Sequence, residues 1–558
     1  MSPKANLKWL VQKFGGTSVG KFDVKIAEDI VSAYLDQYRV VVVCSARSSS
    51  TKALGTTNLL LRAVNEALSR PQAQGAITTS SLPSAQTVNG LSTRNYLPSP
   101  NLFSTVDPYS SSVPFNATVD LLKSEHITAA KQSLKDPILL ESIINEIEHD
   151  CEGLRQFLYA AQIINEISPR SKDSIVGVGE RLSCKLMAAI LKDRGIDSEF
   201  VSLENIIPEA FGDPDSMTTT GILGQSFYDR LCILFAERIR QCEDRVPVVT
   251  GFFGPVPGSV LKQIGRGYTD VLAALLAAGL QASELQIWKE VDGVFTADPH
   301  KVSTARLIPI ISPDEAAELT YYGSEVVHPL TMRQAISKKI PIRIKNVKEP
   351  NGQGTIIRPD PSQIIDLEAM VQSGASLSTL KTAATELEEL KRVKRLPTAV
   401  TIKKNILVLN VNSNRKHVSH TFLAGVFNTL DKFGVIADLI STSEVHVGIA
   451  TEAGDISKKE LVQLIHELER IGTVSIFDDM AILSLVGHQM SHRVGIAGRM
   501  FTTLAEGNIN IEMISQGASE INVSCVIQAR YADKALSLIH QSCLQIKPEG
   551  VPGRRVGM

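Results

Sequence analysis

The chain contains no C-x-x-C pair, and its seven cysteines are scattered and odd in number. A disulfide framework or a zinc ribbon is therefore not what organises it. Aromatic residues are scarce, at 5%, so the interior must be built from Ala, Leu, Ile and Val, which suits α/β or α+β layers. No long basic block stands out and the formal net charge is -2, which argues against nucleic acid as the main partner. Long apolar runs are also missing. The stretch Val271–Leu280, VLAALLAAGL, is far short of a membrane span. The N-terminus carries no apolar h-region and no cleavage-site pattern. A soluble, reduced, cytoplasmic protein is expected. At 558 residues it is too long for one hydrophobic core, and two to four domains are expected.

Residues 1–70 alternate strand-like and helix-like pieces. Trp9–Phe14 and Arg39–Cys44 read as strands, the second a near-continuous apolar run of the kind found in parallel sheets covered on both faces. A helix follows Thr57, a plausible N-cap, with Leu60, Val64 and Leu68 at helical spacing. Residues 71–116 are rich in Ser, Pro, Thr, Gln and Asn and read as a flexible insertion. Regular patterns resume at Val119 and run to about Val347. Residues 351–397 read as a linker, with a charged segment (TELEELKRVKRLP) suited to a helix. Beyond Thr398 the chain repeats itself. Two units of strand, helix, glycine turn, strand and strand are assigned to 398–472 and 473–548. Leu423, Val426, Phe427 and Leu430 mark one helix face, and Ala497, Met500, Phe501 and Leu504 the other.

Chemistry gathers near the N-terminus. In K-F-G-G-T-S-V-G-K-F, Lys13 to Phe22, the glycines Gly15 and Gly20 with Lys21 satisfy G-x-x-x-x-G-K, but Phe22 stands where a P-loop needs Ser or Thr. The stretch is either a phosphate cradle of another kind or a tight structural turn, with Lys13 ending the strand and Thr17 and Ser18 in the turn. Arg266-Gly-Tyr-Thr-Asp270 opens an Ala/Leu-rich helix that Thr269 or Asp270 can cap. Arg266 is a candidate carboxylate clamp or a local ion-pair partner of Asp270. Glu180 follows two glycines and reads as a helix N-terminal charge or a catalytic group. Phe295 could stack on a base or pack in a core.

In order along the chain stand KFGGTSVG, VVVCSA, GERLS, VVTGFFG, GRGYTD, WKEVDGVFTADP, YYGSEVVHP, PIRIKN and the paired SEVHV and MISQGASEINVSCV. With these motifs the sequence resembles the aspartate kinases of the amino-acid-kinase superfamily, most closely their fungal branch. The resemblance spans nearly the whole chain except the Ser/Pro-rich insertion. It departs from the bacterial pattern at Glu325, where G-A-K-V-L-H-P has lysine, and at Lys289, where W-T-D-V has threonine. The resemblance implies an amino-acid-kinase αβα sandwich over residues 1–350, followed by two ferredoxin-like βαββαβ ACT domains. It also implies transfer of the γ-phosphoryl of MgATP to the β-carboxylate of L-aspartate, giving 4-phospho-L-aspartate and ADP, towards homoserine, threonine, methionine and isoleucine.

Family matching assigns Lys13, Gly15 and Gly16 to the phosphates. It gives Thr17, Ser45, Thr57, Glu180 and Arg266 to aspartate, with Lys13, Arg266 and Asp270 at the reacting groups. Lys289, Phe295, Asp298, Lys345 and Asn346 match the region that holds ATP. Mg²⁺ is expected to arrive on the ATP phosphates rather than on a protein ligand set. The ACT resemblance places a threonine effector on Asn412, Asp438, Ser443 and Glu444, and implies a homo-oligomer paired through these domains. In relatives the first ACT unit is threaded into the second. A glutamate or acetylglutamate kinase, and a sensor with an inactive kinase domain, are the competing readings.

Overall fold

The structure is a computed structural model. It describes residues 7–48, 55–69, 113–211, 223–265, 267–323, 327–359, 397–413, 419–516 and 521–544. The chain divides into two compact units, Met1–Leu272 and Ala273–Met558.

The first unit is built on parallel strands β1 (Lys8–Phe14), β2 (Tyr38–Cys44), β3 (Ser198–Val201) and β4 (Val246–Thr250), ordered β3-β4-β2-β1. Val40 to Cys44 are all buried. β-Branched residues fit such doubly covered strands, because their stiff side chains pack on the pleat. Phe14 stands opposite Cys44, and Cys44 opposite Thr250. The carboxyl ends of three strands therefore finish level, and that edge is where open α/β sheets bind ligands.

Around these strands lie the helices Thr56–Leu68, Pro114–Ser133, Pro137–Ile164, Pro169–Asp193 and Gln225–Arg240. Three of them open with proline, whose missing N–H would be unpaired there anyway. The expected cap at Thr57 is corrected: Gly55 holds the N-cap position with no side-chain bond, and Thr57 lies inside the first turn. The insertion also ends earlier than expected, because Phe115 and Asn116 are already buried in a helix. Residues 71–112 lie outside the described residues.

The glycine-rich stretch forms a short helix, Gly16–Lys21, rather than a turn. Its glycines have different reasons. A Cβ on Gly16 would lie 2.3 Å from the Ala46 carbonyl oxygen, and one on Gly20 2.1 Å from that of Ser48. The Ser48 amide donates to the Gly16 carbonyl at 2.9 Å. These two glycines let backbone lie on backbone. A Cβ on Gly15 would meet nothing within 4 Å. Lys21 is exposed, and the Phe22 amide closes the helix on the Ser18 carbonyl.

The second unit holds β5 (Glu284–Lys289), β6 (Ile310–Ile311), β7 (Ile342–Asn346) and β8 (Thr355–Ile357), ordered β5-β7-β8-β6. Strand β8 falls within the stretch read as a linker, of which 360–396, including the charged segment, lie outside the described residues. A six-stranded antiparallel sheet follows: β9 (Ala399–Asn412), β10 (Leu439–Thr442), β11 (His446–Glu452), β12 (Thr473–Val486), β13 (Met513–Ser515) and β14 (Asn522–Gln528), in the order β10-β11-β9-β12-β14-β13.

The long strands β9 and β12 each contribute to three packed clusters, one at either end and one between them, where Ile406 and Val408 of β9 and Met480 and Ile482 of β12 pack with Leu439, Ala450, Met513 and Val526. Leu407, Leu409 and Val411 of β9 pack with the helices Ser419–Lys432 and Lys458–Glu469 through Val426, Leu430, Leu464 and Leu468. Val400 and Ile402, at the other end of β9, join Leu483 and Leu485 of β12 against Met500, Leu504, Leu536 and Ile539 of the helices Ile496–Glu506 and Ala532–Cys543. The first βαββαβ unit ends on the front half of β12, and the second borrows the front half of β9. A division at 472/473 cuts across this sharing. Phe427, read as part of the inner helix face, is 38% exposed.

Replacing Gly20 by Ala should lower stability by about 1–3 kcal/mol, as overpacking against fixed backbone does. Gly15→Ala should leave the melting temperature unchanged, since Gly15 has open space and an ordinary φ of -71°. Thermal unfolding of the two variants checks this.

Candidate active site

Lys13, next to last in β1, is buried, and its Nζ lies 2.6 Å from Oδ1 of Asp270. Asp270 stands in the first turn of the helix Tyr268–Leu280, where a carboxylate complements the helix dipole. Both side chains are 11% exposed. Desolvation makes a buried ion pair a poor source of stability, so its presence at a strand end points to chemistry.

Glu180 sits in the middle of the helix Pro169–Asp193, not at a helix start as its sequence context suggested. It is 2% exposed. Its Oε1 accepts the Thr269 hydroxyl at 3.0 Å, while Oε2 has no well-aligned hydrogen-bond partner among the described residues. Burial pushes the carboxyl up to about 7, against the opposing pull of the Tyr268 and Thr269 hydroxyls, the Phe252 amide and the Lys13 charge. Burial, with Glu180 as neighbour, raises the Tyr268 phenol in turn. Thr269 therefore does not cap its helix through its side chain but turns its hydroxyl inward.

Small residues clear the space for this cluster. A Cβ on Gly251 would lie 2.5 Å from Thr269 Oγ1 and 2.9 Å from Glu180 Oε2. A Cβ on Gly177 would strike the Phe252 ring at 2.6 Å, and one on Gly179 the Thr56 methyl at 2.5 Å. On the same helix Asp173 accepts the Ser259 hydroxyl at 2.8 Å and the Val260 amide at 2.5 Å. It anchors the turn Val260–Gln263.

Ser45 follows β2, half-buried, with its amide donating to the Phe14 carbonyl at 3.1 Å. The Thr56 amide donates to the Arg47 carbonyl at 3.1 Å. Thr17, Ser45 and Thr57 thus lie on segments tied to one another at the carboxyl edge of β1 and β2. Arg266 lies outside the described residues.

In the second unit a cavity of about 250 Å³ is lined by Lys289, Phe295 and Asp298, together with Thr401, Ile402 and Leu536. Lys345 and Asn346 stand in register with Trp288 and Lys289 but do not line it. The Lys345 ammonium lies 5.0 Å from the centre of the Trp288 ring. The Asn346 amide donates to Asp292 at 2.8 Å. Glu325 lies outside the described residues.

The four expected effector residues fall in two places. Asn412, Ser443 and Glu444 are exposed at one end of β9–β11, where Asn412 bonds His446. Asp438 precedes β10 at its other end, about 16 Å away along the strand. Its two oxygens accept the Lys403 ammonium at 2.9 Å each. Among the described residues no group of three or more His, Cys, Asp and Glu side chains could hold a metal, and no helix is long and apolar enough to cross a membrane. All seven cysteines are buried free thiols.

Residues 8–346 match the model of the amino acid kinase family, and residues 483–543 that of an ACT domain. Fold and site together define an amino acid kinase carrying ACT domains. The chain is 47% identical over 539 residues to the aspartokinase of Schizosaccharomyces pombe, spanning 96% of this chain and 93% of that one. It is 43% identical over 545 residues to the aspartokinase of Saccharomyces cerevisiae, with 96% and 93% spanned. It resembles Escherichia coli aspartokinase III in complex with aspartate and ADP, with a TM-score of 0.67, 25% identity, and 96% and 99% of the two chains covered. The chain belongs to the aspartokinase family.

Because the folded Glu180 carboxyl binds its proton more tightly than the unfolded one, ordinarily at 4.5, the folded state loses stability as pH rises from 4.5 to 7. The loss is fully present above 7 and amounts to about 3 kcal/mol at most. Glu180→Gln removes it. The variant's melting temperature relative to the parent should climb between pH 4.5 and 8, and a flat difference would contradict the raised value.

Proposed function

We propose that the chain transfers the γ-phosphoryl of MgATP to the β-carboxylate of L-aspartate, with the carboxyl edge of β1, β2 and β4 as the acceptor side of the site. The observation that carries this is the buried Glu180 carboxylate with an unaligned oxygen, next to the buried Lys13–Asp270 pair. An amino acid offers the complement: an ammonium for Glu180 and anionic carboxylates for cationic and hydroxyl groups. Ser45, Thr17, Thr57 and Arg266 complete the aspartate subsite under this reading.

The acceptor carboxylate, with an ordinary pKa of about 3.9, is already ionised and needs no general base. The barrier is repulsion between two anions, so the protein contributes position and charge. Lys13 holds positive charge at the end of β1 where the transferring group would lie. Asp270 fixes the direction of that ammonium. One carboxylate paired to a lysine fits an Mg²⁺ ion that keeps waters and takes its other oxygens from nucleotide phosphates. When bound, that ion shields the phosphoryl charge. Glu180 orients the substrate ammonium without entering the transfer. Lys289, Phe295 and Asp298 are assigned to ATP, and Lys345 and Asn346 support that strand edge from β7.

With ATP, Mg²⁺ and hydroxylamine, the protein should yield aspartyl hydroxamate from aspartate and none from glutamate. Lys13→Ala should reduce kcat by about 100-fold or more, with the fold kept by circular dichroism. Near-normal turnover would remove Lys13 from the mechanism. Absence of hydroxamate from the unmodified chain under all conditions would favour the sensor reading.

We propose further that threonine inhibits the enzyme from the end of β9–β11 bearing Asn412, Ser443 and Glu444, by preferring a state of lower kinase activity. Asp438 enters this reading as the partner of Lys403. Two copies would pair through the ACT units, where Ile440 of β10 and Ile514 of β13 are 40% and 48% exposed. In steady-state assays Ser443→Ala should weaken threonine inhibition while leaving uninhibited turnover intact. Unchanged inhibition would displace the effector from this end of the sheet.

A further inference from the structure

We propose that His540 is a positioning residue for the nucleotide: its imidazole bridges two hydroxyls of the segment Gly293–Arg306 and so fixes the loop that presents Phe295 and Asp298 to ATP. The inference rests on the assignment of that loop to ATP.

His540 lies on the helix Ala532–Cys543 and is fully buried. Its Nε2 lies 2.9 Å from Thr296 Oγ1 and its Nδ1 3.3 Å from Thr304 Oγ1. Burial, aided by the Arg306 charge, lowers its pKa and keeps the ring neutral. A neutral imidazole has one donor and one acceptor, and both face a threonine hydroxyl. The loop is held from other directions as well. The Val400 amide of β9 donates to the Thr296 carbonyl at 2.9 Å, and the Thr296 and Arg306 backbones bond each other. The Arg306 amide also donates to the Thr296 hydroxyl at 2.9 Å. Ala297 and Val302 are buried in the same core as Leu536 and Ile539.

Thr296 bonds His540 of the helix while its neighbour Phe295 lines the cavity. An imidazole with both nitrogens engaged sets the loop's conformation, because buried hydroxyls left without partners are costly. Loop shape, and through it ATP binding, is thereby tied to the second ACT core.

The test compares the full-length parent with His540→Ala, His540→Gln, Thr304→Val and Phe295→Ala in the hydroxamate assay, with melting temperatures recorded. His540→Ala should raise the KM for ATP about tenfold, with the KM for aspartate within about twofold of the parent. His540→Gln, which keeps a donor and an acceptor, should recover much of the loss, and Thr304→Val should show an intermediate rise. If His540→Ala does not fold, the Gln and Thr304 variants decide. An unchanged KM for ATP in the folded variants overturns the proposal, as does an equal rise in both KM values. Phe295→Ala separates the two levels. If it raises the KM for ATP while the His540 variants do not, only the bridge fails. If neither moves it, the assignment of the loop to ATP fails and the bridge with it.

Discussion

The organisation of the first unit follows from burying three charges side by side. Lys13, Asp270 and Glu180 stand in an interior where each alone would be severely destabilised. The Lys13–Asp270 pair offsets part of that cost, and the Thr269 hydroxyl a smaller part at Glu180. The sheet register matters because it brings the ends of β1, β2 and β4 level. The glycines matter because side chains at 177, 179 and 251 would occupy the volume that the carboxylate and its neighbours need. Under the proposed function, the residual instability of the Glu180 carboxylate is what would favour a cationic ligand beside it. The same burial that raises its pKa would strengthen a bond to a substrate ammonium.

Much of this was legible in the sequence where one local pattern sufficed. The valine run of β2 and the strand ahead of the glycines indicated parallel, covered strands, and the structure has them. Lys13 stood out because it precedes the glycines at a strand end. The repeated units were visible from their glycine turns and helix faces. Local patterns failed where a residue's role is set by something distant in the chain. Glu180 follows two glycines, which locally suggests a helix start. Those glycines are small because Phe252 and Thr56 press on the helix, and no window of sequence shows that. Thr269 is a good capping residue by type, yet a buried carboxylate 89 positions away claims its hydroxyl. Thr57 was displaced as a cap by Gly55, whose extended backbone already starts the turn.

His540 was invisible for the same reason. On the helix it occupies an inward position. Its partners, Thr296 and Thr304, lie more than 230 positions earlier. The signal that could have flagged it was a lone polar residue on an otherwise apolar helix face, Ala535, Leu536, Ile539 and Cys543. That signal gains meaning only once its hydroxyl partners are known.

The sharing of β9 and β12 gives the second unit a mechanical property that two separate domains would lack. Strand β9 is hydrogen-bonded to β12 along both halves, and to β11 only from Ile406 to Asn412. Beyond the end of β11 its free edge is taken up by the loop at Thr296, through the Val400 amide. One strand therefore connects the end bearing Asn412 with the loop bearing Phe295, about 40 Å apart along the backbone. A strand paired on its flanks cannot stretch, so a shift at one end must appear as sliding, twist or a change of register at the bulge near Phe477–Ile482. Among the described residues the β9–β12 register shifts twice there, between Phe477 and Met480 and between Met480 and Ile482. Met480 and Ile482 at the bulge are buried with Ile406, Val408 and Met513 in the cluster between the two ends of the sheet, so any change of register there must repack that cluster.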